Sequence, residues 1–172
     1  LHNTDNANIP ATIAGEIARL TTLELQSKVE GSPRAECMDA VYQQVLGKLR
    51  VQTEYAFAKG SMVFKPYITP DGTIAVQYIQ ADMFFPLDFD SEKMTRCAFL
   101  DQFRKGNEIY SRIELYSLSG DVLSIKNHVF IARTEGILGT EVPIGTVPRW
   151  AELAEEMQFS GIQKLPIGYF TV

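Results

Sequence analysis

Tyr55-Ala56-Phe57-Ala58-Lys59-Gly60-Ser61-Met62-Val63-Phe64-Lys65-Pro66-Tyr67 is written in two periods, and the switch falls at Gly60. Before Gly60, apolar Met38, Val41, Val45 and Leu49 recur every three to four residues, and the stripe continues through Tyr55 and Ala56. That spacing belongs to one face of a helix. Ser32-Pro33 offers a hydroxyl cap followed by a first-turn proline, so the helix is expected to start there and stop at Gly60. After Gly60 the side chains alternate with a period of two, which predicts a strand over 61–68.

Working toward the amino end, Ile13, Ile17, Leu20 and Leu23 predict a first helix over 9–28, with Asn8 as its cap and Pro10 in its first turn. Gly31 ends it. Toward the carboxyl end, strands are expected over 73–80, 97–103, 108–118 and 121–132. The turns between them carry Pro70-Asp71-Gly72, Lys105-Gly106-Asn107 and Ser119-Gly120-Asp121. In the 121–132 strand, Leu123, Ile125, Val129 and Ile131 share one face, and Lys126, His128 and Phe130 the other. Residues 134–148 read as a loop, 149–157 as a short helix, and 159–163 and 167–172 as final strands. The expected fold is α+β, with two N-terminal helices packed on a mainly antiparallel β-sheet meander and a short helix near the C-terminus. Residues 1–60 form its helical part and 61–172 its β-rich part, in one compact domain.

The chain has 172 residues, 45% apolar and 22% charged, with a net charge of −5. Such a composition can build a packed core and argues against disorder. A dedicated nucleic-acid binder carries a basic footprint, which is missing here. No run approaches the roughly 18 apolar residues of a membrane helix. Leu1 to Asn8 do not resemble a signal peptide. The apolar end Ile167, Tyr169, Phe170 and Val172, with no starting Met, suggests a fragment of a longer chain. Cys37 and Cys97 read as two small buried thiols in a reducing compartment.

The sequence lacks a P-loop, GxGxxG, HExxH or GxSxG motif, and it has only two histidines, His2 and His128. His128 falls on the polar face of its strand and reads as solvated. Asp88, Asp90 and Glu92 alternate as Ca²⁺ ligands can, but without the glycine of a tight loop they read as a solvated connection between strands. Glu152, Glu155 and Glu156 read as a solvated helix face. Basic residues such as Lys65, Arg104, Arg112 and Lys126 are interleaved with Tyr67, Tyr110 and Tyr116. Acidic Asp101, Glu108 and Glu114 break any continuous positive track. A ligand pocket, if the chain forms one, is expected around Asp82, Asp101 and Tyr110.

The segment 55–67 resembles the end of a helix feeding the first wing strand of a bacteriophage portal protein. Ile79-Gln80-Ala81-Asp82-Met83-Phe84-Phe85-Pro86-Leu87 is similar to a passage in portal proteins, also called minor capsid proteins, of phages and prophages of Gram-positive bacteria. Ala98-Phe99, Tyr110-Ser111-Arg112-Ile113-Glu114, Asn127-His128-Val129-Phe130, Pro148-Arg149-Trp150 and Leu165-Pro166-Ile167-Gly168-Tyr169-Phe170 fit the same family. The resemblance makes Lys65, Pro66, Gln80, Ala81, Asp82, Phe84, Phe85 and Pro86 structural motif positions. Phe84 and Phe85 are expected to plug a helix–sheet interface, and Asp82 to accept backbone amides. It implies the wing portion of a homo-oligomeric ring in the virion, assembled in the host cytoplasm. That ring is the capsid-vertex channel for DNA packaging and head–tail joining. Its partners would be further copies of itself, capsid and scaffold proteins, terminase and the head–tail connector. Double-stranded DNA would pass through the channel without direct contact with this portion. No enzymatic activity, cofactor, metal or membrane is implied. The contrasting expectation is a small cytoplasmic α+β enzyme or ligand-binding domain.

Overall fold

A computed structural model describes residues 9–172, so the expected cap Asn8 and His2 lie outside the described residues. The fold is α+β, with two N-terminal helices over antiparallel sheet. The chain divides into two units, residues 9–81 with 167–172, and residues 82–166. The expected boundary at residue 60 therefore marks a change of secondary structure inside the first unit.

In the first unit, α1 (Ile9–Thr22) and α2 (Pro33–Lys59) precede a three-stranded sheet. Its strands are β1 (Ser61–Ile68), β2 (Ile74–Gln80) and, from the far end of the chain, β9 (Gly168–Thr171), in the order β2-β1-β9. The α2 boundaries follow from capping, whereas α1 ends at Thr22, short of the expected 28 and well before Gly31. The Ser32 side chain accepts the Ala35 N–H at 3.2 Å, Pro33 occupies the first turn, and Gly60, at φ 90°, returns its N–H to the Ala56 carbonyl at 2.7 Å. Small residues carry the helix packing, with Ala14, Ala18, Ala35 and Ala56 buried. A methyl added at Gly15 of α1 would rest on the Glu54 carboxyl group of α2. Ile13, Leu20 and Leu23, read as one apolar stripe, are exposed. The alanine side of α1 lies against α2, and the larger side chains fall on the opposite arc. Cys37 is likewise exposed, and only Cys97 is buried.

The second unit is a six-stranded antiparallel sheet. Its strands are β3 (Phe84–Asp90), β4 (Lys93–Lys105), β5 (Glu108–Ser119), β6 (Val122–Ala132), β7 (Thr140–Val142) and β8 (Glu156–Ser160). Consecutive strands pair as neighbours from β3 to β7, and β8 pairs with the other end of β6. The stretch 84–90, expected as part of a loop, is thus a strand. Its alternating Phe85, Leu87 and Phe89 lie along β4, which begins at Lys93 rather than 97. The short helix expected over 149–157 is absent. Turns occupy its first half, and from Glu156 the backbone pairs with β6, from Val122↔Ser160 to Lys126↔Glu156. Ladder hydrogen bonds to β6 outweigh the weak helical preference of so short a segment.

Between β7 and β8 the chain crosses the sheet as a strap, residues 143–155. Ile144, Val147 and Trp150 of the strap pack on Val129, with Phe103, Tyr110 and Val142 around them. Gly139, just before β7, has φ 84°, and a Cβ there would collide with the Ile131 carbonyl. Gly139→Ala is therefore expected to cost more than the ~1–3 kcal/mol of left-handed strain alone. Gly136→Ala, at φ 80° with open space around it, should cost only that strain. Urea unfolding of the two variants checks the difference; equal losses would count against the collision.

Candidate functional site

Register brings polar side chains from three strands onto the strap-covered face. Asp101 of β4 stands opposite Arg112 of β5, and Glu114 of β5 opposite Asn127 of β6. Arg112 is the hub. Its Nη1 donates to Asn127 Oδ1 at 3.0 Å, while Nη2 lies 3.6 Å from Glu114 Oε2 and 3.9 Å from Asp101 Oδ2. The Arg112 and Glu114 side chains are only 13% and 10% exposed, and the buried Arg112 Nε has no hydrogen-bond partner. The Tyr116 hydroxyl donates to Glu114 Oε1 at 3.3 Å. Burial, reinforced by the Glu114 charge, pushes that phenol far above its ordinary range, so it stays a neutral donor.

The strap is fastened to this network. Trp150 Nε1 donates to Asp101 Oδ2 at 3.0 Å, and Arg149 Nη2 to Asp101 Oδ1 at 3.3 Å. Asn127 holds the strap's far end, its Nδ2 donating to the Ala154 carbonyl and its N–H to the Glu155 carbonyl, both at 2.8 Å. The carboxylates and guanidinium groups answer one another, so the arrangement positions backbone and strap. Of the residues expected around a pocket, Asp101 belongs to this network. Tyr110 stacks on Phe103 at 4.9 Å and donates to Glu108 at 2.7 Å, and Asp82 lies in a 3-10 turn, Ala81–Met83.

A shallow cleft of about 470 Å³ opens where β7 and β8 leave β6, lined by Lys126, His128, Glu141, Glu155 and Glu156 among others. Here too the groups pair internally. His128 Nδ1 lies 2.7 Å from Glu141 Oε1, and Lys126 Nζ 3.4 Å from Glu156 Oε2. The Gln158 amide, followed by Lys126 and Ser124, holds the Glu156 carboxyl below its ordinary range. His128, expected to be solvated, keeps 42% of its side chain exposed while it meets Glu141.

The motif positions spread over several elements. Lys65 is buried on β1, beside exposed Pro66. Gln80 ends β2, and Ala81 and Asp82 form the 3-10 turn into β3. Phe84 is buried against Phe99 at 5.3 Å between ring centroids, with Tyr116 edge-on to Phe99. This is an aromatic stack on the sheet. Phe85, expected with Phe84 to plug a helix–sheet interface, is 45% exposed. Pro86 is exposed on an edge strand, where a missing N–H is tolerated.

Several elements expose large apolar side chains, α1 and β3 among them. On α1 these are Ile9, Ile13 and Leu20, which share one arc; on β3 they are Phe85, Leu87 and Phe89. The β3 edge is poorly suited to strand addition, because Pro86, Asp88, Asp90 and two register shifts interrupt it. Its phenylalanines and leucine remain available to side-chain packing. Sequence reasoning named Asp101, Arg112 and Glu114 as interleaved strand charges but missed Asn127 and Trp150 as their partners, although Asn127 shares a face with Ile125 and Val129 of β6. No family model matches the chain, and no curated protein sequence matches it.

Proposed function

We propose that the chain is a structural assembly subunit, the wing portion of a phage portal ring that serves as the capsid-vertex channel for DNA packaging and head–tail joining. The observation that supports this reading is the gathering of exposed Phe85, Leu87 and Phe89 on a single edge strand that is blunted against backbone pairing. Grouped apolar side chains of this kind mark protein–protein contact, and the strand is part of the segment that resembles portal sequences. The paired charges of the network and the cleft suit a rigid building block better than the alternative, a ligand-binding or catalytic domain.

The test is electron microscopy and solution mass of the product of the complete reading frame, expressed with its scaffold. Rings with a central channel are the expected result. A monomeric product that stays monomeric with scaffold present would overturn the reading.

A further inference from the structure

Gly47 stands in the interior of α2, a helix of 27 residues, where glycine weakens a helix relative to alanine. Among the described residues nothing requires it, because a Cβ built at Gly47 meets none of their atoms within 4 Å. Ala40, Gln44, Val51, Tyr55 and Ala58 recur around it every three or four residues, and all are exposed. The other sides of α2 are occupied. Glu54 meets α1 at Gly15, Ala56 is buried, and the Lys48 ammonium sits over the Tyr78 ring of β2, 5.6 Å from its centroid. An exposed stripe at this spacing, with a glycine at its middle, suits close approach of another helix.

We propose that this stripe docks a second copy of the chain, two α2 helices crossing antiparallel with Gly47 at the crossing. The face matches itself. About a two-fold axis between Gly47 and Lys48, Ala40 meets Tyr55 of the second copy, small against large, and Gln44 meets Val51. Glu36 in the first turn comes beside Lys59 in the last turn of the second copy, and the helix dipoles oppose favourably. The Lys48 charges, drawn toward Tyr78, leave the crossing clear. A parallel arrangement would instead set Glu36 against Glu36, Lys59 against Lys59 and Tyr55 against Tyr55. The pairing stands apart from the portal reading, which draws on β3.

The test joins two measurements on the chain of residues 1–172. Sedimentation should show a concentration-dependent dimer. Gly47→Ala should weaken it at least tenfold while raising the melting temperature of the dilute, monomeric chain by about 2–4 °C, since alanine favours the helix. In a Cys37→Ser background, Gln44→Cys and Val51→Cys together should form an interchain disulfide on oxidation, and neither should do so alone. The two positions lie too far apart along one helix to bridge within a chain. A chain that stays monomeric, a dimer indifferent to Gly47→Ala, or cross-linking by either single cysteine would each overturn the proposal.

Discussion

Arg112→Met is expected to lower the unfolding free energy by about 3–5 kcal/mol, the usual cost of removing one member of a buried ion pair. The loss arises less from the missing attraction than from what stays behind. Glu114, 10% exposed, would lose the guanidinium beside it, and Asn127 would lose the donor to its Oδ1. Arg112→Lys should recover only part of the loss, because a single ammonium cannot reach Asn127, Glu114 and Asp101 from one position as the guanidinium fork does. Arg112→Met combined with Glu114→Leu should recover most of it, since the buried carboxylate goes too. Urea unfolding followed by circular dichroism, with an unchanged m-value, reads all three. A single-variant loss under about 1 kcal/mol, the range of an exposed pair, would show that the network is solvated and sink the account.

Trp150→Ala carries the second large expected effect, about 3–5 kcal/mol. The indole fills the space between Val129, Ile144 and Val147, with the Phe103 ring edge-on at 5.2 Å. Its truncation leaves a cavity beneath the strap and removes the donor to Asp101 Oδ2. Trp150→Phe separates the two contributions: it keeps most of the volume, loses only the hydrogen bond, and should cost about 1–3 kcal/mol. Hydrogen exchange supplies a local readout. In Trp150→Ala the amide of Asn127, bonded to Glu155, and those of β8 should exchange faster, while the β4–β5 ladder should keep its relative protection. Uniform loosening of the whole sheet would instead mean that the strap has no local role.

The helices and the long hairpins were legible because their signals are local. Ser32, Pro33 and Gly60 act on their own backbone, so the bounds of α2 follow from three residues. The turns at Asp71-Gly72, Gly106-Asn107 and Gly120-Asp121 set the strands around them in the same way. The strand at 84–90 was hidden because its acids suggested a solvated loop, although Phe85, Leu87 and Phe89 already alternate. Residues 149–157 misled in the opposite direction. Trp150, Leu153, Ala154 and Met157 are spaced like a helix face, but Trp150 answers to Asp101, and Met157 to its partner Ile125.

The candidate site was less legible than the fold. Asp101 and Trp150 are separated by 49 positions and Asn127 and Ala154 by 27, so no window of sequence contains either pair. The sequence by itself determined the class of each long element, the caps of α2 and the hairpin turns, because hydrophobic period and backbone preference act over a few residues. Only the tertiary structure decided which residues those elements bury. It placed alanines rather than leucines between α1 and α2, bound Arg112 to partners on neighbouring strands, and turned the end of the chain into strands pairing with β6 and β1. Burial and pairing depend on what arrives from elsewhere in the chain, and that information is not local to any segment.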